Sequence, residues 1–230
     1  MLPPGFITSQ LSNQRVLSAY NLKKHNIQET LQLNKLDSNT FRILLVAYKS
    51  EQILELHGYD SKTSNYKKIS TYKICNSSGE LGPKNEEGDL QVPEGFYFIN
   101  KFNPLSKYHL SLGINYPNAA DLLRTQAKNP GGEIYIHGDC VTIGCLPMTD
   151  DYINEIYIYC ALARFNGQDE IPVFIFPFKM TDNNYSHFIS QKPNHTSFWR
   201  NLKLGYDLFT KNNKPLTISI NQNGIYEFKE

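Results

Sequence analysis

The chain has 230 residues, 40% of them hydrophobic, and a formal net charge of +1. That is enough apolar material for one substantial core, or one core with a small accessory lobe, and the balanced charge argues against nucleic acid or an anionic membrane as the main partner. No apolar run reaches membrane-spanning length, and Met1-Leu2-Pro3-Pro4-Gly5-Phe6 lacks the basic region and apolar stretch of a secretory signal. Two explanations fit that start: a cytosolic protein, or an exported one whose signal has been replaced by an added methionine.

In chain order, residues 8 to 36 read as helical, with Leu11, Val16, Leu17, Tyr20 and Leu22 forming a loose apolar stripe that Ile27, Leu31 and Leu33 extend. From Phe41 the period changes. Residues 42 to 48 form a buried strand, Lys49 to Gln52 a turn, residues 53 to 57 a second strand, and the alternating residues 68 to 75 a third. Residues 76 to 95 are loop-like, dense in Gly, Pro, Asn and charge. Strands follow at 96 to 99 and at 108 to 114, then a short helix at 121 to 126 and a strand at 133 to 137.

The clearest helix spans Asp150 to Phe165, where Ile153, Ile156, Tyr157, Cys160 and Ala161 share one face and Asn166-Gly167 supplies the stop. Residues 172 to 178 read as a buried strand, 197 to 209 as a helix, and 216 to 220 with 224 to 228 as a closing hairpin. The layout is α+β, with a mostly antiparallel sheet and helices flanking it on the N- and C-terminal sides. The abundance of Tyr (15) and Phe (13) agrees with a β-rich structure.

Four cysteines (Cys75, Cys140, Cys145 and Cys160) are too few for a disulfide scaffold at this size, and their spacing matches no common zinc pattern. Cys75 ends a strand and Cys160 lies on the apolar helix face, so both read as packing residues. The chemistry concentrates in residues 136 to 150, where His137 and Cys145 stand eight residues apart, each beside a glycine.

A thiol needs a base to become a good nucleophile at neutral pH, and His137 at a strand end is placed to take the proton of Cys145. The helix beginning at Asp150 is expected to turn its positive end toward the sulfur, and the amides around Gly144 are candidates for an oxyanion hole. A backbone carbonyl would serve as well as an acid to fix the imidazole tautomer. Cys140 competes as nucleophile or as a redox partner of Cys145, although the neighbouring Asp139 disfavours a thiolate there. Metal binding by His137, Cys140 and Cys145 lacks a fourth ligand, so no metal and no other cofactor is expected.

Ile136-His137-Gly138 with Thr142-Ile143-Gly144-Cys145, Met148-Thr149-Asp150 resembles the active-site pattern of L,D-transpeptidase (YkuD-type) catalytic domains, in particular its YafK-like branch. Gly82-Pro83-Lys84, Glu87-Gly88-Asp89 and Pro93-Glu94-Gly95 with Tyr97 resemble a second block of the family, and Ser111-Leu112 with Tyr116-Pro117-Asn118 and Asp121 a third. These blocks cover roughly residues 40 to 180. The resemblance implies a β-rich sandwich-like catalytic domain in which Cys145 accepts the acyl group, His137 is its base and Gly144 belongs to the oxyanion region.

It also implies an extracytoplasmic, bacterial enzyme acting on peptidoglycan peptide stems at meso-diaminopimelate through a thioester, with an amine or water as acceptor. A hydrolytic amidase role that releases a stem or a wall-linked protein is slightly favoured. Alternatives are a wall-binding module of the same fold without turnover, or an unrelated thiol hydrolase.

The chain departs from the wider family pattern at two points: Ile143 stands where many members have His, and Pro147 where they have an Arg. Lys84 or Arg124 are then the candidates to receive a substrate carboxylate, with Tyr97 and Tyr135 as candidate groove residues, while Glu87 and Asp89 are expected to hold their loop. The expected organisation is an N-terminal helical segment at 1–38, a catalytic domain at 39–180 and an extension at 181–230 packed on it.

Overall fold

The computed structural model describes residues 5–229. The described residues form ten strands, six α-helices and a short 3₁₀ helix, beginning with α1 (Gly5–Leu11) and α2 (Gln14–Leu33). The expected single helix over 8 to 36 is two, because Asn13 accepts the Arg15 amide at 2.9 Å and starts a new helix. The restart brings Arg15 to the Ser106 and His109 carbonyls, at 2.6 and 2.8 Å. Residues 1–4 of the expected N-terminal segment lie outside the described residues.

Eight strands form one sheet: β1 (Arg42–Tyr48), β2 (Ile53–Asp60), β3 (Asn65–Lys73), β4 (Gly95–Asn103), β5 (Ser111–Ile114), β6 (Tyr135–His137), β7 (Leu146–Pro147) and β8 (Pro172–Phe176). Their order is β3-β2-β1-β8-β4-β5-β6-β7, and only the β1–β8 and β6–β7 pairs are parallel. The mostly antiparallel α+β layout expected from the sequence is the one observed. A bulge opposite Leu56 and His57, where Ile69 is the extra residue, lets β3 pair along its length with the shorter β2.

Both faces of the central strands are covered, which is why β1 and β8 read as unbroken apolar runs. Ile43, Leu45 and Ala47 face a core shared with α2 and α4 (Asp150–Phe165), whereas Leu44, Val46 and Tyr48 face one shared with α6 (Thr196–Asn212). Val173 and Ile175 of β8 divide from Phe174 and Phe176 in the same way. Each fully withdrawn Val, Ile or Phe contributes roughly 1.5–3 kcal/mol, so this two-sided burial is the main anchor of the sheet. α4 is buried beyond its predicted stripe, taking in Ile158, Tyr159 and Ala163, because α2 covers its outer side. Lys23 of α2 pairs there with Asp151 at 2.7 Å.

The second face is completed by α6 and a hairpin of β9 (Thr217–Ile220) and β10 (Tyr226–Lys229). The short α3 (Ala119–Arg124) is set by a capping box between Asn118 and Asp121, so the Tyr-Pro-Asn…Asp block has a local structural role. α5 (Asp182–Gln191) was not foreseen; it is polar, none of its residues is fully buried, and it leans on the body through Phe188 stacked at 4.2 Å on Phe178.

One buried carboxylate ties three distant segments. Glu94, fully buried, accepts from Lys49 after β1 (2.8 Å), from the Gly82 amide (2.7 Å) and from the Trp199 indole of α6 (2.8 Å). Lys49 also donates to the carbonyls of Gly82 and Val92. The loop that carries the Gly82-Pro83-Lys84 block is therefore fixed from beneath.

Candidate active site

β6 and β7 run parallel, with Ile136 opposite Leu146 and His137 opposite Pro147. Ile136 and Leu146 turn into the core, so strand alternation sends His137 and Cys145 to the other side. The segment between the strands is a tight bend. Gly138 has no room for a side chain, since a Cβ there would lie 2.5 Å from Asp150 Oδ1. Gly144 adopts φ +131° close against the Gln91 carbonyl, a conformation that favours glycine.

His137 is almost wholly buried beneath the ring of Tyr108, with ring centroids 4.8 Å apart. Its Nδ1 lies 2.6 Å from the Gly138 carbonyl, an arrangement that places the proton on Nδ1 and leaves Nε2 free to accept one. The carbonyl orienter admitted by the sequence is thus present. Burial lowers the imidazole pKa, against smaller opposing effects of the Gly138 carbonyl and Asp139, so the ring is neutral at pH 7.

Cys145 Sγ accepts the Tyr135 amide at 3.4 Å and its S–H faces the Glu133 carbonyl at 3.7 Å. Burial raises the thiol pKa, and the Tyr135 amide and the Lys84 charge only partly offset it. Thiol and imidazole are both neutral at rest, which suits general-base activation as the substrate arrives better than a standing ion pair. Among the described residues no hydrogen bond yet joins them.

The amides of Gly144 and Cys145 both point to Thr142 Oγ1, at 3.2 and 2.8 Å, while that hydroxyl donates to the Cys145 carbonyl at 2.9 Å. The two N–H groups proposed for the oxyanion hole converge on one oxygen, and serving a substrate means exchanging that acceptor. The positive end of α4 is already answered by its own residues: Thr149 caps the Tyr152 amide and Asp150 accepts the Asp139 amide at 2.9 Å. It does not aim at the sulfur through any contact.

Cys145 opens onto a cavity of about 150 Å³. Its wall is formed by Lys49, Gln52 and residues 76–81, with Val92 and Leu146 completing it.

Two cysteine expectations are corrected. Cys75 and Cys140 are joined in a disulfide, with Cα atoms 5.5 Å apart across 65 residues of chain. Cys75 is therefore not a simple packing residue, and Cys140 is neither a free rival nucleophile nor the partner of Cys145. Strand β3 ends beside the bend only in three dimensions, which spacing along the chain does not reveal. Cys160 is free and fully buried, as expected.

The remaining candidates scatter. Lys84 lies near enough to Cys145 for its charge to act on the sulfur, but its ammonium is committed to Asp89 and to the Glu86 carbonyl. Arg124 is paired with Asp121 and stacked 4.1 Å from the Phe198 ring. Each cation is thus already paired with a neighbouring acid. Tyr97 is buried, its hydroxyl 3.2 Å from both the Glu94 carbonyl and Asp121, and it does not line the cavity at Cys145. Tyr135 meets Cys145 through its backbone, while its ring runs outward to Glu133 and Lys101. Asp89 accepts the amides of Asn85, Glu86 and Gln91, holding its loop as expected.

Sequence reasoning passed over Tyr108, and it used Thr142 only as a motif letter. A Thr three residues before Cys145, with Gly between, is a signal for a side-chain-capped turn; nothing local signals Tyr108.

The L,D-transpeptidase catalytic domain family, YkuD, matches residues 42–226. YafK of Escherichia coli (strain K12), named a putative L,D-transpeptidase, is 40% identical over 186 residues, which span 80% of this chain and 72% of that protein. Its counterpart in Escherichia coli O157:H7 matches equally. Among solved structures, the helical cell shape determining protein Pgp2 from Campylobacter jejuni aligns with a TM-score of 0.49 at 19% identity, over 78% of this chain and 73% of that one. Bd1075 of Bdellovibrio bacteriovorus aligns with a TM-score of 0.43 at 24% identity, over 60% and 48%. The chain belongs to the L,D-transpeptidase catalytic domain family.

Proposed function

We propose that this chain is a cysteine acyltransferase or hydrolase that cleaves peptidoglycan peptide stems at meso-diaminopimelate. The observation that carries the reading is the placement of His137 at the end of β6 and of Cys145 just before the parallel β7, with His137 Nδ1 held by the Gly138 carbonyl. Nε2 is the ring nitrogen left to work as base.

In this mechanism Cys145 Sγ attacks the scissile carbonyl carbon while its proton passes to His137 Nε2. The tetrahedral oxyanion draws the Gly144 and Cys145 amides away from Thr142. As the C–N bond breaks, the leaving amine takes the proton from His137, and a thioester remains on Cys145. An incoming amine or water then attacks the thioester, giving its proton to His137, and the thiol is restored. Water as acceptor, releasing a stem or a wall-linked protein, is the favoured outcome. The catalytic unit would be residues 39–180, with the segments 1–38 and 181–230 acting as supports.

An extracytoplasmic site of action follows from such a substrate, and the Cys75–Cys140 disulfide supports it, because disulfides persist in oxidising compartments. Among the described residues, no helix is long and apolar enough to cross a membrane.

The test is mass spectrometry of the protein after incubation with purified peptidoglycan fragments. An acyl adduct on the Cys145 peptide is expected, absent in Cys145→Ala and accumulating about 10²–10⁴-fold more slowly in His137→Ala. An adduct elsewhere, or turnover that survives Cys145→Ala, removes the assignment. The released products identify the acceptor.

A further inference from the structure

We propose that the Cys75–Cys140 disulfide is a redox-sensitive modification site that governs the Cys145 pocket; this rests on the reading of Cys145 as the nucleophile. The bond joins the two sides of that pocket. Cys75 begins the segment that forms the wall at residues 76–81, and Cys140 belongs to the bend that presents Cys145.

The bend has few other outside attachments. The Asp139 amide reaches Asp150, and beyond it the Cys140 carbonyl accepts from Asn76 Nδ2 at 3.2 Å. Residues 142–145 then bond among themselves through Thr142, and Cys145 Sγ reaches the Tyr135 amide and the Glu133 carbonyl across long contacts of 3.4 and 3.7 Å. Val141 and Ile143 are exposed, Ile143 to 80%, so side-chain burial does not hold the bend either. The disulfide and the adjacent Asn76 bond come from one segment, so opening the first loosens the second. On the wall side, Cys75 keeps its amide bond to the Pro147 carbonyl at 3.0 Å, which limits the change to the bend and the wall.

Cys140 is exposed and Cys75 partly so, which makes the bond reachable by a partner of dithiol chemistry. The exchange balances simply. A thiolate of the dithiol attacks Cys140 Sγ, the sulfur–sulfur bond breaks and Cys75 leaves as a thiolate that takes up a proton. The second thiol of the reductant attacks the mixed disulfide, releasing Cys140 as a thiol and leaving the reductant oxidised. Two electrons pass from the dithiol to the protein. The oxidised form holds Cys145, its amides and the pocket wall in register; the reduced form lets them part.

The experiment compares three forms of the full chain: oxidised wild type, wild type reduced with dithiothreitol and freed of it by gel filtration without oxygen, and Cys75→Ala/Cys140→Ala. Each is given purified peptidoglycan fragments, and the Cys145 adduct and released products are followed by mass spectrometry. Tenfold or greater slowing in the reduced and double-variant forms is expected, with near-UV circular dichroism retained and recovery on reoxidation of the wild type. Rates within twofold across the three forms overturn the proposal. Global unfolding of the double variant shifts the comparison to reduced wild type; unfolding of that form also overturns it, because the bond then holds the whole fold and not the pocket. Failure of the nucleophile assignment looks different: the oxidised wild type itself gives no Cys145 adduct.

Discussion

The ring of Tyr108 lies over that of His137 at 4.8 Å between centroids and 33° between planes, closing the imidazole off from solvent. Burial is the largest influence lowering the His137 pKa. Tyr108→Ala opens this cover, and the imidazole then rises toward its ordinary 6.5. The acid limb of the kcat/KM profile is expected to begin below pH 6.5 in the wild type and to move to higher pH in Tyr108→Ala. Tyr108→Phe keeps the ring and should keep the profile. An unmoved limb in the alanine variant would show that the ring does not tune the base.

Thr142 offers a second test. Its hydroxyl gathers the Gly144 and Cys145 amides onto one point. Thr142→Val removes that acceptor and lets the two donors diverge, with an expected fall in kcat of about 10–100-fold and a smaller effect on KM. Thr142→Ser should retain most of the wild-type rate. Steady-state kinetics on purified peptidoglycan fragments distinguish these outcomes.

Acid should destabilise the protein in two steps. A histidine lowered by folding binds its proton more readily when unfolded, so the His137 contribution is complete above pH 6.5 and declines as pH falls below it. Glu55 is opposed by burial, yet the His57 hydrogen bond and the charges of Lys68, His57 and Lys179 hold it down at about 2. Its contribution is complete above its ordinary 4.5 and is lost as pH falls toward 2. Urea midpoints measured from pH 8 to pH 3 should fall through both windows, and Glu55→Gln should flatten only the lower one.

Glu94 is the site where a single substitution should cost most. Removing a partner from a buried ion pair typically costs about 3–5 kcal/mol, because the remaining charge has no counterpart. Glu94→Ala strands Lys49 and leaves the Trp199 indole without its acceptor. A loss of that order in urea denaturation is expected, against less than about 1 kcal/mol for the exposed pair Lys192–Glu80 when Glu80→Ala is made.

The sequence was most readable where burial imposes a period. β1, β8 and α4 carry apolar patterns that leave little choice, and the bend between His137 and Cys145 stood out by its glycines. Three things were hidden. α5 has only a short, partly buried face, Tyr185, Phe188 and Ile189, and the break at Asn13 is a single capping bond within an otherwise helical pattern. The Cys75–Cys140 pairing needs β3 and the bend brought together, a relation 65 residues long that local spacing does not encode. Lys84 and Arg124 looked like free cations because their acids, Asp89 and Asp121, become partners only through particular loop and helix-cap geometry.

The indole of Trp199 is more than filler beneath the sheet. By donating to Glu94 it completes the set of bonds that also grips Gly82 and Lys49, the foundation of the chamber in front of Cys145. A shortened protein ending before α6 would therefore forfeit the footing of the cavity beside Cys145 together with its tail, although the cut lies far from the sulfur along the chain.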